Sequence, residues 1–257
     1  VSSDELQALC GRIDTIMLGQ LCYEGMPMQL DSITGNYKDI PGQTLTFETP
    51  TLAYRRIDEL WRDPLFLTYM QHPLFREITL RLIGPDVSVF RAMFMNKPAG
   101  RGTVLPWHQD VGSGWGLDAN PIVSIWTALD DATVSSGCMQ IVPGSHKLGP
   151  LDHVLGPETA PHLPPEQYHP DQLESVAVPA ERGDMIFFNY QTIHWSDCNR
   201  TDAWRKSVRF GYHDTGMRPV GRAEDDPHRI DPGNILERSS NIIVAGFREN
   251  EEEPAAS

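Results

Sequence analysis

His108, Gln109 and Asp110 form a His-x-Asp unit directly after the apolar run TVLPW. At a strand end, side chains two residues apart leave on the same face, so one imidazole and one carboxylate project together. A second imidazole would complete the two-His, one-carboxylate set that holds one face of an Fe(II) ion and leaves the opposite face open to a co-substrate and O2. His194, in the run DMIFFNYQTIHWSD, is the candidate: it stands 84 residues beyond Asp110 (194 − 110), on a distant strand.

Each part of this set is ordinary when taken singly. The nine histidines and the aspartates of the chain produce a His-x-Asp by chance roughly 0.7 times. A second copy, His169-Pro170-Asp171, lies in a Pro-rich segment without a scaffold to hold it rigid and reads as a turn or helix entry. For His194 the ordinary alternative is a half-buried strand histidine bonded to a backbone carbonyl. The downstream residues favour the metal reading. Ser196 shares the face of His194, while Arg205 and Arg209 fall in phase on a later strand. A guanidinium inside a barrel is costly unless it meets a carboxylate, and a dicarboxylic co-substrate supplies one. A surface ion pair is the ordinary alternative for either arginine.

The elements that must carry these residues can be read from periodicity. Leu6, Leu9, Cys10, Ile13, Ile16 and Met17 recur at helical steps behind Ser2 and Glu5 in capping-box positions, which predicts an amphipathic helix. LAYRRIDELWRD (52–63) and HPLFREITLRLIG (72–84) read as two further helices, the second started by Pro73 and stopped by Gly84-Pro85. From Val87 the texture changes to eight short β-branched or aromatic runs: VSVFRAMFM, TVLPWHQD, VSIWTAL, CMQIVPGS, SVAVPA, DMIFFNY, TIHWSD and KSVRFGYH. The expected fold is mainly β with flanking helices, around a double-stranded β-helix (jelly roll, cupin-like) core. We expect one domain over 1–257: a mainly helical flank at 1–86, the jelly-roll core at 87–214, a C-terminal segment at 215–247 and a disordered acidic tail at 248–257. Gly/Pro-rich stretches at 112–121 and 149–172 read as loops over the barrel mouth. Asp130 and Asp131 read as a turn, because adjacent strand residues face opposite ways, and His146 in PGSHK reads as structural or rim-exposed.

Composition narrows the partners. With 21 Lys+Arg against 35 Asp+Glu, the net charge is −14, and no basic run exists to displace counterions from nucleic acid or an anionic membrane. A small-molecule substrate is expected; oligomeric state is not legible. Cys10, Cys22, Cys138 and Cys198 match neither a metal knuckle nor a disulfide framework, which predicts a reducing, cytoplasmic setting. No apolar run is long enough to span a bilayer, and the opening VSSDELQALC is not a signal sequence. The chain opens on Val1 rather than Met, so residues before it are expected.

Four stretches together resemble the phytanoyl-CoA dioxygenase family of Fe(II)/2-oxoglutarate oxygenases, which also contains ectoine hydroxylase and many tailoring oxygenases of secondary metabolism. They are WHQD (107–110), VSIWTALDDATVSSGCMQIVPGSH (123–146), GDMIFFNYQTIHWS (183–196) and NRTDAWRKS (199–207), and the resemblance extends from the opening helix to about Asp214. It implies that His108, Asp110 and His194 hold the iron and that Arg205, eleven residues after the distal histidine, pairs with the C5 carboxylate of 2-oxoglutarate. It also implies that Ser196 bonds the same carboxylate and that Trp126 lines the co-substrate pocket. Arg209 has no clear family role and is left open to substrate contact. The implied reaction consumes 2-oxoglutarate and O2, releases succinate and CO2, and removes a hydrogen from the substrate. Asp110 argues against halogenation, since halogenases of this class replace that carboxylate with a small residue.

The substrate is less legible. Arg91, Met93 and Met95 share one strand face and either border the site or fill the core. Trp107, Trp115, Trp195 and Trp204 could wall a flat or sugar-like ligand as well as pack a core. A CoA thioester would call for several basic groups, so a small polar or glycosylated metabolite is expected, oxidised by hydroxylation or ring formation. Two other readings stand beside this one: a non-catalytic jelly-roll binding protein, and a Zn-dependent hydrolase on a cupin-like scaffold. Arg205 has no obvious use in the hydrolase.

Overall fold

The computed structural model describes residues 1–110, 119, 123–156, 159–166, 168, 172, 174–217 and 243–245. Helix α1 spans Ser3–Met17, and Ser2 caps it by accepting a hydrogen bond from the Glu5 amide. The six apolar residues picked out by their spacing are the six it buries. Helix α2 (Pro64–Met70) is capped by Asp63, whose Oδ1 accepts from the Leu65 and Phe66 amides. Helix α3 (Pro73–Leu82) starts at Pro73 as expected, with His72 as its cap.

Thirteen strands follow in chain order among the described residues: β1 (Met28–Leu30), β2 (Tyr54–Asp58), β3 (Val87–Lys97), β4 (Leu105–His108), β5 (Val123–Ala128), β6 (Met139–Ile141), β7 (Val154–Gly156), β8 (Thr159–His162), β9 (Val176–Val178), β10 (Met185–Asn189), β11 (His194–Ser196), β12 (Arg205–Asp214) and β13 (Ile243–Ala245). The larger sheet runs β1-β2-β3-β12-β5-β10, with β13 also on β3; the smaller runs β4-β11-β6-β9. All of these pairings are antiparallel. The eight runs read from the sequence as strands are all strands, and the two-sheet β architecture stands as expected.

Alternation on the central strand β12 shows how the larger sheet divides its labour. Val208, Phe210 and Tyr212 face the helices and join Leu9, Ile13, Phe66, Tyr69 and Phe75 in the main core. Arg205, Ser207 and Arg209 point the other way, toward the smaller sheet. The helices thus cover one face so that the other can be polar and still be buried.

The segment 52–63 departs from expectation. It forms strand β2 and a 3-10 turn at Leu60–Arg62, not a helix, with Glu59 in the left-handed region at φ 56° between them. Helical spacing of Leu52, Ile57, Leu60 and Trp61 is outweighed by the partners a strand finds here: Arg56, Ile57 and Asp58 pair with Met95, Phe94 and Met93 of β3. Arg56 Nε also reaches Asp58 Oδ2 at 2.6 Å, an i,i+2 contact that a strand permits and a helix does not. The helical flank therefore contributes two strands to the larger sheet. The 149–172 stretch contains the hairpin β7–β8, whereas 112–118, the His169-Pro170-Asp171 unit, Trp115 and the acidic tail lie outside the described residues.

Candidate metal centre and co-substrate pocket

His108 ends β4 and His194 begins β11, and antiparallel pairing sets them directly opposite one another. Their ring centroids are 4.1 Å apart. Asp110, two residues past the strand end, is fixed by its amide donating to the Tyr190 carbonyl at 2.9 Å. Its Oδ1 lies 3.7 Å from His108 Nε2 and its Oδ2 lies 3.6 Å from His194 Nε2. One ligand atom from each of these three buried residues falls within 4.8 Å of the others.

The tautomers follow from the backbone. His108 Nδ1 meets the Pro106 carbonyl at 2.8 Å, and His194 Nδ1 meets the Thr192 carbonyl at 2.8 Å. A carbonyl only accepts, so each Nδ1 carries the hydrogen and each Nε2 presents its lone pair to the centre. Burial, reinforced by its neighbour His194, pushes the His108 imidazole down to about 3, and burial likewise lowers His194. Burial alone would raise the Asp110 carboxyl, but Arg209 and then the two imidazoles hold it below the usual carboxylate range. Two neutral imidazoles and one carboxylate in this arrangement suit a divalent transition metal with an open face.

A cavity lined by both sheets opens onto His108 and His194, and its wall includes Met95, Trp126, Phe188, Ser196, Arg205 and Arg209. Arg205 is 4 % exposed. Its Nη1 donates to Ser207 Oγ at 3.1 Å, and its Cζ lies 5.8 Å from the Trp126 ring. Its Nε is buried with no hydrogen-bond partner, and among the described residues no carboxylate forms an ion pair with it. Burial lowers this guanidinium to about 10. A buried cation with an unused donor on a pocket wall is the complement of a carboxylate.

All six residues singled out from the sequence therefore meet at one place: His108, Asp110 and His194 at the centre, and Ser196, Arg205 and Trp126 around the adjoining cavity. Spacing did not disclose the place of Arg209. Its Nη2 donates to Asp110 Oδ2 at 2.6 Å. Its two-residue phase with Arg205 pointed inward, but the contact with Asp110 is tertiary. Of the candidate aromatic wall, Trp107 packs with Leu163 and Ile193 in a separate small core, and Trp195, stacked on it at 5.5 Å, also lines the cavity. Met95 borders the cavity, and Arg91 lies 3.5 Å from Asp58. Asp130 and Asp131 accept from the Lys206 and Arg182 amides, which matches a structural turn. His146 lies in the 3-10 turn Ser145–Leu148 behind left-handed Gly144, away from the centre.

The family model for phytanoyl-CoA dioxygenase (PhyH) matches residues 2–207. The chain belongs to the phytanoyl-CoA dioxygenase family. It is similar to a probable phytanoyl-CoA dioxygenase of Caenorhabditis elegans, 30% identical over 186 residues, covering 68% of this chain and 59% of that protein. It is 27% identical over 219 residues to the peroxisomal phytanoyl-CoA dioxygenase of Rattus norvegicus, covering 82% of this chain and 62% of that one. The chain thus spans about three fifths of the length of these curated relatives. Among solved structures, the epimerase SnoN, in complex with Fe3+, alpha ketoglutarate and nogalamycin RO, shares the fold with a TM-score of 0.63 and 19% identity, over 86% of this chain and 78% of SnoN.

Proposed function

We propose that this family member is an Fe(II)- and 2-oxoglutarate-dependent dioxygenase that hydroxylates or oxidatively cyclises a small polar or glycosylated metabolite in secondary metabolism. The observation that carries the reading is Arg205, a buried guanidinium with an unpartnered Nε, on the wall of the cavity that the His108–Asp110–His194 set adjoins. A Zn hydrolase has no use for that cation, and a dicarboxylic co-substrate does. SnoN, a relative in fold, is solved with Fe3+ and alpha ketoglutarate.

Bound iron would supply O2 activation coupled to decarboxylation of 2-oxoglutarate. The chain's own residues do the rest. His108 and His194 offer Nε2 lone pairs already oriented by the Pro106 and Thr192 carbonyls. Asp110 contributes the single negative charge. Arg205 and Ser196 take the distal carboxylate of the co-substrate, beside the Trp126 ring. Leu105, Met95, Met139 and Phe188 contribute apolar surface to the cavity wall. The four cysteines are all free thiols, which supports a reducing compartment, and we place the protein in the cytoplasm; the rat relative is named as peroxisomal. No described helix is long and apolar enough to cross a membrane.

The test is an anaerobic titration of Fe(II)-loaded protein with 2-oxoglutarate, followed by the weak visible band of a chelated complex. The band is expected, and Arg205→Ala should need far more co-substrate to reach it. Metal-loaded protein that never develops the band would overturn the assignment.

A further inference from the structure

We propose that Arg209 is the positioning residue for the metal's carboxylate: it occupies one oxygen of Asp110, so that the other alone is offered to the ion. This rests on the iron-site reading above. The Nη2 of Arg209 donates to Asp110 Oδ2 at 2.6 Å, with the two side chains 7% and 1% exposed. Its Nε donates to Ser124 Oγ at 2.7 Å. Its Cζ lies 5.1 Å from the Tyr190 ring centroid and 5.8 Å from that of Phe188. The guanidinium is therefore held by a hydroxyl on one edge and by two aromatic rings before it reaches the carboxylate.

The two residues differ in how their backbones are supported. Arg209 sits at the middle of β12, paired with Met93 on one side and Trp126 on the other. Asp110 lies beyond the end of β4, and its amide is bonded to the carbonyl of Tyr190, the residue whose ring lies against Arg209. A carboxylate at a strand end can rotate about its last torsion. A charge-assisted bond to a group fixed in the sheet centre removes that freedom.

The consequence is one of coordination number. On an octahedral ion, two imidazoles and a one-oxygen carboxylate would fill three of six positions and a chelating 2-oxo acid two more, leaving one for O2. A carboxylate bound through both oxygens would take that position or compete with the chelate. Arg209 prevents this by keeping Oδ2 engaged.

The experiment uses Co(II) in place of iron, because its visible d–d bands report coordination number without turnover. Wild-type protein should bind Co(II) one to one and His108→Ala should not; equal binding in both would overturn the iron-site reading and this proposal with it. Given a wild-type site, Arg209→Met should show a changed Co(II) spectrum and at least about 10-fold weaker 2-oxoglutarate binding to the metal-loaded protein. Arg209→Lys should recover part of both. An unchanged spectrum and affinity in Arg209→Met would overturn the proposal. Chemical rescue tests the same contact without depending on how that variant folds: added formate should restore Co(II) binding to Asp110→Gly but not to Asp110→Gly/Arg209→Met. Equal rescue in both would also overturn it.

Discussion

His108 and His194 are cross-strand partners, directly opposite in the antiparallel pair β4–β11, with ring centroids 4.1 Å apart. Both imidazoles are buried with their Nδ1 hydrogens engaged by carbonyls, so two adjacent bases are held neutral with free Nε2 lone pairs. Replacing either removes half of a preformed imidazole pair. His108→Ala and His194→Ala should each abolish stoichiometric metal binding by isothermal titration while leaving the far-ultraviolet circular dichroism unchanged. Wild-type-like metal uptake by either variant would rule out the proposed ligand set.

The same pair sets a pH dependence for the metal-free protein. His108 is pushed to about 3 and His194 is lowered, whereas an unfolded chain titrates histidine near 6.5. The unfolded state then binds more protons, so the stability these groups contribute is present above pH 6.5 and is lost as pH falls toward their folded values. Each histidine should cost up to about 1.4 kcal/mol per pH unit below 6.5. Urea denaturation between pH 7 and pH 5 should show this decline, and His108→Ala should flatten it by about one proton's slope.

Arg205 separates co-substrate binding from metal binding. Its guanidinium is buried on the cavity wall, away from direct contact with the three ligands. Arg205→Met should weaken 2-oxoglutarate binding on the order of 100-fold, about 3 kcal/mol, with Co(II) affinity unchanged. Because the variant also removes a buried cation that forms no ion pair among the described residues, its metal-free form should melt no lower than wild type. A parallel loss of metal affinity would show that Arg205 supports the centre itself.

Gln109, the residue between two proposed ligands, ties the 149–153 segment to the centre. Its Nε2 donates to the Gly149 and Gln191 carbonyls at 3.0 and 2.7 Å, its Oε1 accepts from the Leu151 amide at 2.8 Å, and its own amide donates to His153 Nε2. Gln109→Ala strands the Gly149 and Gln191 carbonyls and the Leu151 amide and should destabilise the protein by about 2–4 kcal/mol. Limited proteolysis should then cut first near 149–153; a cleavage pattern identical to wild type would count against this tether.

Gly211 is small because two rings need its space. A Cβ there would come within 2.0 Å of the Tyr190 hydroxyl and 2.6 Å of the Phe90 ring. Gly211→Ala should cost about 1–3 kcal/mol in thermal or urea unfolding. Tyr190→Phe in the same chain should recover part of that loss, and the absence of any recovery would mean that Phe90 carries the whole clash.

The sequence by itself determined eight of the thirteen described strands, the first and third helices and the residues to look for at the site. These depend on local signals, namely period-two and period-3.6 patterns, caps, and residue types at strand ends, except Trp126, which the family resemblance alone supplied. It also placed His108 and Asp110 on one face, since that follows from a two-residue step. Tertiary structure decided what depends on partners far along the chain. Segment 52–63 had helical spacing but became a strand because β3 offered an edge that Arg56, Ile57 and Asp58 could pair with. Trp107 went to a separate core because Leu163 and Ile193 pack there, while its stacking partner Trp195 reaches the cavity wall. Arg209, in phase with Arg205 but of no assignable use from spacing, acquired its role only when β12 was laid between β3 and β5 and its guanidinium met Asp110, 99 residues away. A contact of that kind has no period and no motif; it arises when two sheets close over a charge that burial obliges them to pair.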